Sequence, residues 1–110
     1  GQVHGGIAQG AGQALMENMI YDDNGQVLTG SFFDYAMPRA GDFCTFDIDR
    51  HAVPTTTNPL GVKGAGECGT VGALAAVMNA INHALAPKGI KNIAMPVTPE
   101  KVWQAIHAAN

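Results

Sequence analysis

Charge is scarce in these 110 residues: 14% are charged, against about a quarter in an ordinary soluble domain. Apolar residues make up 46%, so the low charge does not signal disorder. Net charge is −3, with no basic run and no interleaving of basic and aromatic residues, which argues against a nucleic-acid partner. No apolar run approaches the length of a membrane span, and no signal peptide opens the chain, so a cytoplasmic location is expected. The only cysteines, Cys44 and Cys68, match no metal-ligand spacing, and neither do His4, His51, His83 and His107. Reduced thiols are the more economical reading than a disulfide. The length allows at most one domain. So little charge combined with 14 glycines reads as a fragment from the interior of a larger assembly.

What the chain has instead is glycine, most densely in Gly61-Val62-Lys63-Gly64-Ala65-Gly66-Glu67-Cys68-Gly69-Thr70. Four glycines in ten positions suit neither a helix nor a strand interior, since each costs about 1 kcal/mol relative to alanine there. Such a stretch serves a tight turn or a close approach. A single carboxylate, Glu67, stands among the small residues. A helical stripe of Val71, Leu74, Ala75, Met78, Ile81 and Leu85 follows at once, with Thr70 as its expected N-cap. Gly64, Gly66 and Gly69 spell the dinucleotide-binding pattern Gly-x-Gly-x-x-Gly. The preceding Thr55-Thr56-Thr57-Asn58-Pro59 is a poor strand, however, and no acid occurs between Glu67 and Glu100, so that reading fails. A phosphate-binding P-loop fails as well, because Lys63 precedes the glycines. Lys63 is expected to be solvated, and Cys68 to be a small buried thiol.

Taken in order, residues 1–19 predict a helix interrupted by Gly5, Gly6, Gly10 and Gly12, at a summed propensity cost of roughly 3–4 kcal/mol. Another backbone or a ligand must lie on the glycine side to offset it. The helix opens with no capping sequence before it, a further reason to expect a fragment. Asp22-Asp23-Asn24-Gly25 predicts a β-hairpin between Met19-Ile20-Tyr21 and Gln26-Val27-Leu28. Cys44, Phe46 and Ile48 alternate with Thr45, Asp47 and Asp49, predicting a half-buried strand with the aspartates on its wet face. The central helix should stop near Ala86-Pro87, ahead of Lys88-Gly89. Thr98-Pro99-Glu100 should open a short last helix that buries Val102, Trp103 and Ile106. The expected class is α+β.

Two segments in this order, Gly1-Gln2-Val3-His4-Gly5-Gly6-Ile7-Ala8-Gln9-Gly10 and Gly61–Thr70, resemble the C-terminal cofactor-binding part of the molybdenum hydroxylase large subunit. That family holds xanthine dehydrogenase, aldehyde oxidase and carbon monoxide dehydrogenase. The likeness runs on through Asn24-Gly25, Tyr35-Ala36-Met37-Pro38, Ala75-Ala76-Val77-Met78-Asn79-Ala80 and Thr98-Pro99-Glu100, and so covers essentially the whole chain.

The resemblance implies that Glu67 is the active-site glutamate beside molybdenum, the general base of the reaction. It implies that Gln2 hydrogen-bonds the molybdopterin, with Gly66, Gly69, Thr70 and Gln9 as cofactor neighbours. The cofactor is expected in its cytosine dinucleotide form, with [2Fe-2S] centres and FAD on partner subunits or domains. The substrate is expected to be an aldehyde, an N-heterocycle, a similar small molecule, or carbon monoxide. The residue types suit these roles. Apolar Gly/Ala surroundings penalise a charged carboxylate, while a helix N-terminus favours it, and a base needs both pulls in balance. Glutamine both donates and accepts, as the edge of a heterocycle requires. The competing reading is a non-catalytic structural or assembly segment of the same descent, which low charge and glycine-rich helices fit equally well.

Overall fold

The computed structural model describes residues 1–109. Three helices carry it: α1 (Gln2–Leu15), α2 (Cys68–Leu85) and α3 (Pro99–Ala108), with short 3-10 turns at Ala40–Asp42 and Ala86–Lys88.

Helices α1 and α2 cross at backbone contact, and glycine is the reason. A Cβ on Gly6 would stand 3.1 Å from Gly69 Cα and from Thr70 N, and one on Gly10 would stand 2.8 Å from Ala73 Cβ and Thr70 O. From the other side, a Cβ on Gly69 would meet Val3 O at 2.6 Å and Ile7 N at 2.8 Å. The small residues fall at i and i+4 on both helices, so each presents one smooth strip to the other. This is the tertiary offset that the glycine-broken α1 pattern requires. Gly12 faces elsewhere, onto Pro38 and Glu17.

Around this crossing the core is thin. Its apolar members are Ala11, Ala14, Ala73, Leu85 and Val97. Val97 N–H donates to Ala14 O at 2.6 Å and ties the segment ahead of α3 to the last turn of α1. Thr98 caps α3 as expected, its hydroxyl accepting from Lys101 N–H at 3.3 Å with Pro99 in the first turn. After α2, Gly89 takes the left-handed conformation at φ 75° and closes the 3-10 turn. The radius of gyration is 17.7 Å, against about 13 Å for a compact chain of this length. Phe33 is 98% exposed, Phe32 83% and Leu60 85%. These residues do not enclose a core of their own.

Four expectations are corrected. The first is the α+β class, because no strand forms among the described residues. The Asp22–Gly25 turn is well made: Asp22 Oδ1 accepts from Asn24 and Gln26 N–H at 2.9 Å each, and Gly25 sits at φ 80°. Pairing then reaches a single Tyr21–Val27 bridge and the Leu28 N–H to Ile20 O bond. Beyond it the Thr29 hydroxyl takes over, accepting from Ile20 N–H and donating to Asn18 O, so a side chain ends the ladder that a strand would continue. Residues 44–49 form no regular element and pair with no strand, and a strand needs a partner to satisfy its backbone. Cys44 and Ile48 are exposed, while Phe46 leans between His4 and Phe43.

The second correction concerns the ends and faces of the helices. Helix α2 begins at Cys68 with Glu67 in the N-cap position, so Thr70 lies inside the first turn and is not the cap. Its buried face runs through Gly69, Ala73 and Leu85, whereas Val71 is 72% exposed. The third concerns α3, which buries none of its residues. Trp103 is 59% exposed, its ring against His107 at 3.9 Å. The fourth concerns apolar length: Cys68–Lys88 is long and apolar enough to cross a membrane by length and composition alone. Its first two turns are closed against α1.

Candidate active site

The crossing that glycine permits brings together two stretches more than 60 residues apart. Gln2, at the start of α1, donates from Nε2 to Gly66 O at 2.9 Å. Thr70, in the first turn of α2, donates from its hydroxyl to Gly6 O at 3.0 Å and lies 3.3 Å from Gln9 Oε1. Glu67 stands between these two links, one residue after Gly66 and three before Thr70.

Of the six residues singled out in the sequence, Gln2, Gly66, Gly69, Thr70 and Gln9 therefore meet at the crossing, with Glu67 at its rim. Their roles within the fold differ. Gly69 is buried, and the space its side chain would need is filled by the α1 backbone. Its identity has a packing explanation. Gly64 and Gly66 have no heavy atom within 4 Å of where a Cβ would stand, and neither has positive φ. Neither packing nor backbone conformation within these residues requires glycine there.

Glu67 is exposed, and its side chain makes no capping hydrogen bond. With Gly64, Gly66, Cys68 and Val71 it lines a shallow hollow. The apolar cover that its expected balance of forces requires is not supplied by the described residues. Cys68 is exposed as well, contrary to expectation, and its thiol donates to Ala65 O at 3.1 Å. Val71 has an apolar character that in the sequence assigns it to the core, yet it lines this hollow. Its spacing of four from Glu67 was the available signal that the two share a face.

The donor and acceptor set fits a pterin-type cofactor. The open backbone at Gly64 and Gly66 admits a flat group at close range. Gln2 keeps Oε1 and a second N–H after binding Gly66. The first-turn amides of α2 have no partner within the helix, which favours anionic oxygen.

Comparisons with known proteins point to the same class of cofactor. A family profile described as a molybdopterin cofactor-binding domain matches residues 1–44, which include Gln2 and Gln9. Over 105 residues the chain is 44% identical to the nicotine 6-hydroxylase large subunit of Paenarthrobacter nicotinovorans, covering 96% of this chain and 13% of that protein. The chain is similar to one segment of the large subunits of the molybdenum hydroxylases. Its fold matches the crystal structure of quinoline 2-oxidoreductase from Pseudomonas putida 86 with a TM-score of 0.89 at 40% identity, covering 96% of this chain and 14% of that one. A copper- and molybdenum-containing carbon monoxide dehydrogenase matches with a TM-score of 0.92 at 32% identity, covering 98% of this chain and 14% of that one. The chain thus spans about one seventh of the length of the relatives it matches. These matches reach past residue 44 and include the Glu67 loop.

Proposed function

We propose that residues 1–110 form the C-terminal segment of a molybdopterin-binding large-subunit domain and supply the catalytic base of a molybdenum hydroxylase, Glu67. The observation that carries this reading is the Gln2–Gly66 hydrogen bond, which joins the two resembling motifs one residue away from that carboxylate. When bound, the molybdenum cofactor supplies the two-electron oxidation of a substrate carbon. Glu67 accepts the proton released as a water-derived oxygen adds to that carbon. Gln2 holds the edge of the pterin through its remaining amide atoms. Gly66 gives the backbone clearance, and Gly69, Thr70 and Gln9 border the cofactor from the crossing, Gly69 by its amide. The cofactor is the cytosine dinucleotide form.

The remainder of the large subunit covers the open side of Glu67 and supplies its apolar surroundings. Electrons leave through [2Fe-2S] centres and FAD on partner subunits, and the complex is cytoplasmic. The substrate is a small aldehyde, an N-heterocycle or carbon monoxide, in keeping with relatives named for nicotine, quinoline and carbon monoxide.

The test is Glu67→Gln in the assembled enzyme, with benzaldehyde, nicotine, quinoline and carbon monoxide as trial substrates and a dye as electron acceptor. Loss of a positioned general base should lower kcat by about 10²–10⁴-fold while molybdenum content stays at the wild-type level. Undiminished turnover would remove Glu67 from the chemistry and leave an assembly role for the segment.

A further inference from the structure

Glu67 sits on a loop that the described residues barely cover, yet a base must be held to within a fraction of an ångström of its proton. What fixes it is visible in the two links that flank it. On the N-terminal side, the Gln2 amide grips the carbonyl of Gly66, the residue immediately before the carboxylate. On the C-terminal side, the Thr70 hydroxyl grips Gly6 O, in a bond that is partly buried. Between them, Gly69 is pressed against Val3 and Ile7, so the first turn of α2 cannot slide along α1. Both gripping side chains reach across the crossing. Neither is needed to form its own helix: Gln2 is the first residue of α1, and Thr70 does not cap α2.

We infer that α1 is a brace for the catalytic carboxylate, with Gln2 and Thr70 as positioning residues that set where Glu67 points. The inference rests on the assignment of Glu67 as the base. It gives Gln2 a second task beside the pterin: one amide N–H holds the loop, while Oε1 and the other N–H face the cofactor. It also gives Thr70 a task that needs only its hydroxyl. The brace belongs to the protein and not to the cofactor, so it should be measurable with the molybdenum absent.

Thr70→Val removes the hydroxyl at nearly constant shape, Thr70→Ser keeps it, and Gln2→Met removes the amide at nearly constant length. All three belong in the assembled full-length complex. In material grown without molybdate, amide hydrogen exchange of the 61–70 peptide should quicken about fivefold or more in Thr70→Val and Gln2→Met, through local opening. In molybdenum-loaded enzyme, Thr70→Val should lower kcat about tenfold with KM nearly unchanged. Thr70→Ser should recover most of both effects.

Exchange and kcat unchanged in Thr70→Val would overturn the brace, as would a Thr70→Ser variant no better than valine. A fall in molybdenum content that accounts for the whole loss in Gln2→Met would confine Gln2 to cofactor binding and overturn its half of the proposal. Glu67→Gln, run beside these variants, separates the two readings. If it turns over normally, the base assignment has failed. If it is inactive while Thr70→Val matches wild type, only the brace has failed.

Discussion

Gly66 and Gly69 lie three residues apart, lack the same side chain, and lack it for opposite reasons. At Gly69 the missing atom would strike the α1 backbone at 2.6 Å and 2.8 Å, so the protein itself fills the space. At Gly66 the missing atom would meet nothing within 4 Å. One glycine is explained from within these residues. The other has no explanation within these residues. Within a single loop, then, the boundary between packed and open backbone falls between residues 66 and 69, and Glu67 stands on it.

The sharpest way to break that contrast is Gly69→Ala. Neither contact can yield, because both are backbone atoms of a helix. Overpacking of this kind should cost about 2–3 kcal/mol, even after the gain of about 1 kcal/mol in helix propensity. The effect should appear as a lower Tm of the assembled large subunit and a lower soluble yield. A Tm within a degree of wild type would mean that the crossing is looser than its geometry. Gly10→Ala is the gentler companion, since one of its two close neighbours is the Ala73 methyl group. Adding Ala73→Gly should return part of its stability, and a double-mutant cycle measures how much.

The opposite prediction holds at Gly66. Alanine there should leave the stability of the chain within about 0.5 kcal/mol of wild type, as for a surface substitution away from special features. Molybdenum retention should nonetheless fall about tenfold, equivalent to 1.4 kcal/mol, because the added methyl group occupies the clearance a flat cofactor needs. Metal analysis after dialysis against a molybdenum-free buffer reads this directly. Full retention would show that the open glycines serve the loop and not the ligand, and would weaken the placement of the cofactor beside it.

The same contrast explains which parts of this chain can be read from its sequence. Boundaries set by local chemistry are legible: Thr98-Pro99 opens α3, Gly89 closes the turn after α2, and Asp22 with Gly25 makes its turn. Glycine at i and i+4 in α1 signals a backbone neighbour. The buried face of α2 is less legible, because hydrophobic periodicity gives weight to Val71, Leu74 and Met78 and none to Gly69. A face that packs by having no side chain carries no hydropathic signal. The hairpin and the strand fail for a different reason. Both depend on partners that alternation cannot reveal, and Thr29 ends the first while the second finds no neighbour among the described residues. The six candidate site residues are legible only through resemblance. Nothing local links Gln2 to Gly66 across 64 positions.

Gly72 makes the smallest prediction and sharpens the comparison furthest. It lies in the interior of α2, where glycine costs about 1 kcal/mol relative to alanine, and a Cβ there meets nothing within 4 Å. Judged from these residues alone, Gly72→Ala should stabilise the protein by about 0.5–1 kcal/mol, a rise in Tm of a degree or two in a large chain. Stabilisation in the assembled subunit would place Gly72 on a free surface. It would also leave the α1 crossing as the one face of α2 where glycine is required for packing. A loss of more than about 1 kcal/mol would mean that another backbone approaches this side of α2 as closely as α1 approaches the other. Glu67 would then stand at the mouth of a cleft with both walls built on α2, one from these residues and one from the rest of the large subunit.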